Sequence, residues 1–298
     1  MKCHPLIVIP VLLGAGISQA EETPPPSIEP IRQAEGSGDA EGQFQLGRAY
    51  LRGEGLPKDV KKAFDLMKSA ADQGHADAIG GMGYFYSAGV AVVKDETQAM
   101  EWFRKGAEKG SAKAQLNLGK TLLAKAAASP GKVREEGLEW TKKAADQGLT
   151  EAELSYGSIL YFGDKGVPKN EAEATIYIRN AAEAGNPDAQ NMLGTIEEKG
   201  VGVRTDKTPV EQWFRKAALQ GHAKAQSNLG RMLWADPAGG EKRVDALAWF
   251  MISNSQGEIT AKKLLEDYTP GLKPGDLDAA KKKMTELKKQ VRKIPLSI

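Results

Sequence analysis

The chain has 298 residues, 41 lysines and arginines against 39 acids, 41 % hydrophobic residues and one cysteine. So even a charge balance argues against bulk nucleic-acid binding. The length allows one or two globular domains, a count that an internal repeat relaxes.

Met1 to Ala20 reads as a secretory signal: Lys2 and His4 form a polar head, and Leu6 to Ile17 is apolar but short for a bilayer span. Ser18-Gln19-Ala20 places small residues at the −3 and −1 positions, so cleavage before Glu21 is expected. The alternative is an uncleaved amphipathic or buried segment. Cleavage leaves 40 basic against 39 acidic residues and removes Cys3, which excludes disulfides, thiolate nucleophiles and cysteine metal sites. The expected location is outside the cytoplasm, in the periplasm. Residues 21–36 are proline-rich and polar and read as a flexible leader.

A periodic array follows. One glycine series runs Gly47, Gly83, Gly119, Gly157, Gly194 and Gly230, at intervals of 36, 36, 38, 37 and 36. A second runs Gly74, Gly110, Gly148, Gly185, Gly221 and Gly257 in step with it. Two series in step mean stacked copies of one supersecondary unit, each burying its apolar face against its neighbours. Around the first glycine sit a small residue five positions before, an apolar residue one before and another three after, as in Ala114, Leu118 and Leu122. That spacing is one stripe of a helix, and the glycine marks close approach of a neighbouring helix. The second half carries a large side chain eight residues before the closing glycine: Leu66, Trp102, Trp140, Tyr177, Trp213 and Trp249. The closing glycine suits a left-handed C-cap. Each unit is therefore helix, loop, helix, tight turn, and the fold class is all-α.

The pattern A…LG…Y…G.G…KD…A..W..KAA..G, clearest from Ala76 to Gly110, resembles the Sel1-like repeat family, relatives of the tetratricopeptide repeats. The resemblance covers about Gly38 to Gly257. It implies a right-handed α/α solenoid of six helix-turn-helix repeats that binds other proteins, and no single activity. Some periplasmic Sel1-like proteins resemble immunity proteins that neutralise an interbacterial lipase, so this role and that of an envelope regulator or assembly scaffold both stay open. The expected organisation is a signal at 1–20, a leader at 21–36, repeats at 37–258 and a capping segment at 259–298. In that last segment Leu277, Ala280, Met284, Leu287 and Val291 trace an amphipathic helix with a lysine-rich outer face, read as a solvated cap.

Chemistry is sparse. His75 and His222 share one slot four repeats apart, which argues against a metal pair and for helix-start residues. Ser129-Pro130-Gly131-Lys132 fits the S-x-x-K string of β-lactam-recognising serine enzymes. It sits in the loop at 124–137, without the companion S-D-N and K-T-G elements, so a β-lactam-binding enzyme is the remote alternative. The expectation is a non-enzyme with no cofactor and no metal.

Counted from its first-series glycine, the face at positions −6, −3, +1, +4 and +5 lies opposite the apolar stripe. In tetratricopeptide-like stacks that face lines the concave groove. The candidate partner-binding residues there are Phe44, Arg48, Leu51, Arg52, Tyr84, Lys120, Ser158, Tyr161, Thr195, Glu198, Arg231 and Trp234. Aromatic side chains and arginines in one concavity suit a protein interface. The expected partner is a protein, a toxin or an envelope component, rather than nucleic acid or a membrane, and the expected oligomeric state is a monomer.

Overall fold

The computed structural model describes residues 38–126, 131–164, 166–200, 207–237 and 239–291. Among them the chain forms helices and short turns, with one isolated bridge between Asp164 and Val167. The helices pair in order: α1 (Ala40–Arg52) with α2 (Val60–Asp72), α3 (Ala76–Ala88) with α4 (Glu96–Glu108), and α5 (Ala112–Ala126) with α6 (Lys132–Asp146). The series continues with α7 (Thr150–Phe162) and α8 (Glu171–Glu183), α9 (Pro187–Glu198) and α10 (Lys207–Leu219), and α11 (Ala223–Trp234) and α12 (Glu241–Asn254). Each second helix also packs on the next first helix, which makes a continuous α/α solenoid. The first helices α3 and α5 touch across the intervening α4, as expected for the inner layer of a curved stack.

The local reasons repeat with the sequence. Asp59, Asp95 and Asn170 cap second helices through side-chain oxygens that accept from backbone N–H groups of the first turn. The closing glycines are left-handed, with φ between +77° at Gly148 and +95° at Gly185. After each of them the next N–H donates to the carbonyl five residues earlier, as in His75 to Ala70 (3.1 Å) and Ser111 to Gly106 (3.0 Å). This Schellman closure satisfies helix-end carbonyls and aims the chain into the next first helix. His75 and His222 are the N-caps of α3 and α11, as their slot predicts.

The core forms where the stripe predicts it. Ala78, Ala114, Ala152, Ala189 and Ala225 are fully buried, and so are Leu118, Leu193 and Leu229. The large-side-chain slot eight residues before the closing glycine lies at the edge of this core. Trp102, Trp140, Tyr177 and Trp213 are only half-buried, and Lys105, Lys143 and Lys216 each lie over the tryptophan three residues before. The residue that meets the first-series glycine is the next one: Phe103, Thr141, Ile178, Phe214 and Phe250 are 5 % exposed or less. The tryptophans instead cover the seam to the preceding repeat.

Polar rungs tie the two layers together. Four positions before the first-series glycine, Gln115, Gln190 and Gln226 each donate to the carbonyl eight residues earlier, at 3.0 to 3.2 Å. Each also accepts from a glutamine at the end of its own second helix: Gln147, Gln220 and Gln256, at 2.7 to 2.9 Å. In repeat four the rung position is Glu153, 6 % exposed, and burial pushes its carboxyl above the usual carboxylate range against a hydrogen bond from Asn180. A carboxyl with a raised folded pKa weakens the fold as pH rises from its unfolded pKa through the folded one. Glu153→Gln removes that charge and supplies the missing donor to Ala145. It is expected to stabilise the protein by about 1–2 kcal/mol at neutral pH, with the gain vanishing below about pH 4. Urea denaturation at pH 4 and pH 7.5 measures it; an equal gain at both pH values would contradict the assignment.

The period outlasts Gly257. Helix α13 (Ile259–Tyr268) places Ala261 and Leu265 where a seventh first helix would have its small and apolar residues, and Glu258 caps it. Glu266 stands in the glycine slot, 36 residues after Gly230. The last helix, α14 (Asp276–Gln290), packs on α12 instead, burying Ala280 and Leu287 and pairing Lys283 with Asp245 at 3.1 Å. Among the described residues, half a repeat and one further helix thus follow the sixth unit.

Candidate partner-binding face

Which first-helix positions are open depends on the neighbouring repeat, and the structure divides the predicted face in two. Positions −3 and +4 point at the next repeat. Phe44 is 7 % exposed, stacked on His75 of repeat two at 4.5 Å. Tyr161 is 9 % exposed in the cluster that holds Leu193 and Ile196 of repeat five. Leu51 is half-buried against the cluster shared by repeats one and two. Trp234 lies flat on Tyr268 of α13 at 4.3 Å and 7°, with the Arg243 guanidinium over its ring at 5.5 Å. The expectation of an open surface is therefore corrected for Phe44 and Tyr161, while Leu51 and Trp234 are half-covered, because a helical wheel knows nothing of the repeat that follows. Glu198 obeys the same geometry: it remains exposed and accepts twice from Arg231 of repeat six, at 2.8 and 2.6 Å.

Positions −6, +1 and +5 fall within about 40° of arc at ~100° per residue, and they face outward. Residue +1 is Arg48, Tyr84, Lys120, Ser158, Thr195 and Arg231 in turn, exposed or half-buried in each repeat although the glycine before it is buried. At +5, Arg52, Ala88, Ala124, Phe162, Lys199 and Ala235 are all exposed. Phe162 is 64 % exposed and meets Tyr161 edge-on at 5.1 Å.

Several of these side chains are held by neighbours. Arg48 lies over the Phe44 ring at 5.6 Å and donates to Gln45 Oε1 at 3.1 Å. The Ser158 hydroxyl lies 3.6 Å from Met192 Sδ, Thr195 donates to the Asn191 carbonyl at 3.0 Å, and Arg52 pairs with Glu54 at 3.4 Å. At the N-terminal edge a cap relay links successive repeats. His75 Nδ1 accepts from Ala78 N–H at 3.1 Å, which places the ring proton on Nε2, 2.9 Å from Glu41 Oε2. His222 repeats this with Ala225 and Asp188, and Ser111 does so with Ala114 and Asp77. Hydrogen bonds from Gln45 and His75 hold the Glu41 carboxyl below the usual carboxylate range, and the His222 bond does the same for Asp188. The sequence carries the signal for this relay, an acid two residues after one N-cap and a donor at the next, but the wheel does not read it.

Among the described residues no group of three or more metal-ligating side chains comes together, and no helix is long and apolar enough to cross a membrane. Ser129 and Pro130 of the S-x-x-K string, the residues before Gly38 and those after Val291 lie outside the described residues.

The Sel1 repeat family model matches five consecutive segments, residues 40–75, 76–111, 112–149, 150–186 and 187–222. The crystal structure of a Sel1 repeat protein from Oxalobacter formigenes is similar with a TM-score of 0.65 and 27 % identity, over 74 % of this chain and 89 % of that one. An immunity protein from Pseudomonas aeruginosa aligns at 16 % identity and a TM-score of 0.44, over 74 % of this chain and 83 % of that one. Chitin synthase regulatory factor 3 of Schizosaccharomyces pombe is 38 % identical over 68 residues, 22 % of this chain; the chain spans only 7 % of that relative's length. The sixth unit falls outside the matched segments yet keeps their construction, with Gly230 against Phe250, a rung at Gln226 and left-handed Gly257. With matched repeats running unbroken from residue 40 to 222 and the helix pairs to go with them, the chain belongs to the Sel1 repeat family.

Proposed function

We propose that this chain is a non-catalytic periplasmic solenoid that holds one partner protein against the outward arc of its first helices, and that it serves as an immunity protein neutralising a toxic effector such as a secreted lipase. The carrying observation is the +1 row: six consecutive repeats present a partly or fully open side chain directly after a glycine locked against the second helix. Side chains on rigid, evenly spaced helices need little ordering on binding, which favours tight stoichiometric capture. The secretory reading of Met1 to Ala20 and the absence of any cysteine after Cys3 support a protein exported without disulfides.

The test blocks the arc without changing the charges already on it. A Tyr84→Ala/Ser158→Gln/Thr195→Gln variant and the wild type are compared as baits in envelope extract, and the retained protein is then purified for titration. The variant is expected to bind about a hundredfold more weakly. The partner's hydrolytic activity on phospholipid is expected to fall to zero at one equivalent of wild type. Equal retention by both baits rejects the arc; retention without inhibition rejects the immunity role and leaves a scaffold or regulator.

A further inference from the structure

We propose that the outward arc of repeats one to three receives an acidic segment of the partner protein, and that an apolar side chain of that segment seats beside Phe162 in repeat four. This deepens the reading of a partner on the first-helix face and rests on it. The observation is an imbalance in which charges are already engaged.

Helices α1, α3 and α5 contain the acids Glu41 and Asp77 and the bases Arg48, Arg52, Lys113, Lys120 and Lys125. Both acids bond to neighbours: Glu41, itself exposed, accepts from Gln45 and His75, and Asp77 accepts from Ser111 at 2.5 Å. Of the bases, Arg52 pairs with Glu54, and Lys125 Nζ lies 3.4 Å from Met100 Sδ, off the arc. Lys113 and Lys120 are exposed and have no carboxylate partner among the described residues, and Arg48 is held by an amide and an aromatic ring rather than by an acid. With five bases against two acids, α1, α3 and α5 carry a net positive charge, and Arg48, Lys113 and Lys120 hold the part of it that no acid engages. An anion brought against these three gains attraction without first displacing an internal partner.

The far side of the array sets direction. Helices α7 and α9 contain no lysine or arginine, and Lys199, just past the end of α9, supplies the arc's positive charge in these two repeats. Of their acids, Asp188, Glu197 and Glu198 are paired to His222, Arg179 and Arg231, Glu153 is buried, and Glu151 remains exposed. An acidic segment is therefore drawn to repeats one to three and away from four and five. Between the two regions stands Phe162, 64 % exposed on a buried Tyr161, an anchor point for an apolar side chain. The occupant so defined is a run of aspartates and glutamates ending in an aromatic or aliphatic residue.

A phage library of random dodecapeptides selected on the full chain supplies an unbiased probe. Recovered peptides are expected to be strongly acidic with one aromatic or large aliphatic residue. A synthetic peptide of the recovered sequence, followed by fluorescence anisotropy, is expected to bind about tenfold more weakly to Lys113→Gln/Lys120→Gln and to weaken as salt rises from about 50 to 300 mM. Both lysines are exposed, and circular dichroism confirms that the variant folds. Phe162→Ala is expected to weaken binding without changing the salt dependence. Peptides that are neutral or basic, or that bind the Lys113→Gln/Lys120→Gln variant equally, overturn the acidic segment; if they are still lost on the Tyr84→Ala/Ser158→Gln/Thr195→Gln variant, the partner face itself stands. No enrichment on wild type over that blocked variant overturns both.

Discussion

Replacing Trp249 with alanine is expected to cost about 3–5 kcal/mol, because it empties the site of a fully buried tryptophan. Trp249 is 1 % exposed and shares its cluster with Phe214, Phe250, Leu229 and Leu287. It occupies the slot that Trp102, Trp140 and Trp213 hold in earlier repeats, where the ring is half-buried under a lysine. The difference is the cover supplied by the elements after Gly257, which convert a seam residue into a core residue. Trp102→Ala, with one ring face already open, is expected to cost about 1–2 kcal/mol. Because solenoid stability is a sum of local and nearest-neighbour contributions, the loss in Trp249→Ala should be local. Hydrogen exchange is the measurement: α12 and α14 lose protection, while α1 to α6 keep theirs. Uniform loss along the chain would mean that the array unfolds as one unit and that the cap is not a separable closure.

Much of this architecture is legible in the sequence because its determinants lie within one repeat. The left-handed closing glycines, the alanine–leucine stripe and the capping residues report on their own helix or on the helix following it, and a period of 36 to 38 residues displays the closing glycine six times and the others in most repeats. What stays hidden is set between repeats. Phe44, Tyr161 and Trp234 look open on a wheel and are covered, the last in part, by His75, by Leu193 and Ile196, and by Tyr268 of the following unit. The glutamine rungs are periodic too, at Gln43, Gln115, Gln190 and Gln226, but a polar residue beside an apolar stripe reads as surface until a carbonyl is found within its reach. Helix α13 is missed for a related reason: Ala261 and Leu265 keep the period, and Glu266 in place of glycine conceals it. For the candidate face, the +1 row is recoverable from the wheel, whereas the separation of open from covered positions needs the stack.

Gly119→Ala is expected to destabilise the protein by about 2 kcal/mol or more, against the ~1 kcal/mol that alanine ordinarily gains over glycine inside a helix. A Cβ on Gly119 would stand 2.8 Å from the Gly137 carbonyl and 3.0 Å from the Thr141 nitrogen, besides striking the Thr141 hydroxyl. Two of these obstacles are backbone, so relief requires α5 and α6 to move apart, and that movement opens the layer that carries Lys120. Gly81→Ala is the matched control. It also lies inside a first helix, but its nearest obstacles are side-chain atoms of Met67, Sδ at 3.1 Å and Cγ at 3.2 Å, rather than backbone, and an unbranched thioether can shift. That substitution is expected to be neutral or to stabilise by up to about 1 kcal/mol. Urea denaturation of both variants separates helix propensity from close approach, since propensity acts equally on each and only close approach distinguishes them. If Gly119→Ala proved as stable as Gly81→Ala, the helices would have room to spare, and the glycine period would need a cause other than contact between the layers.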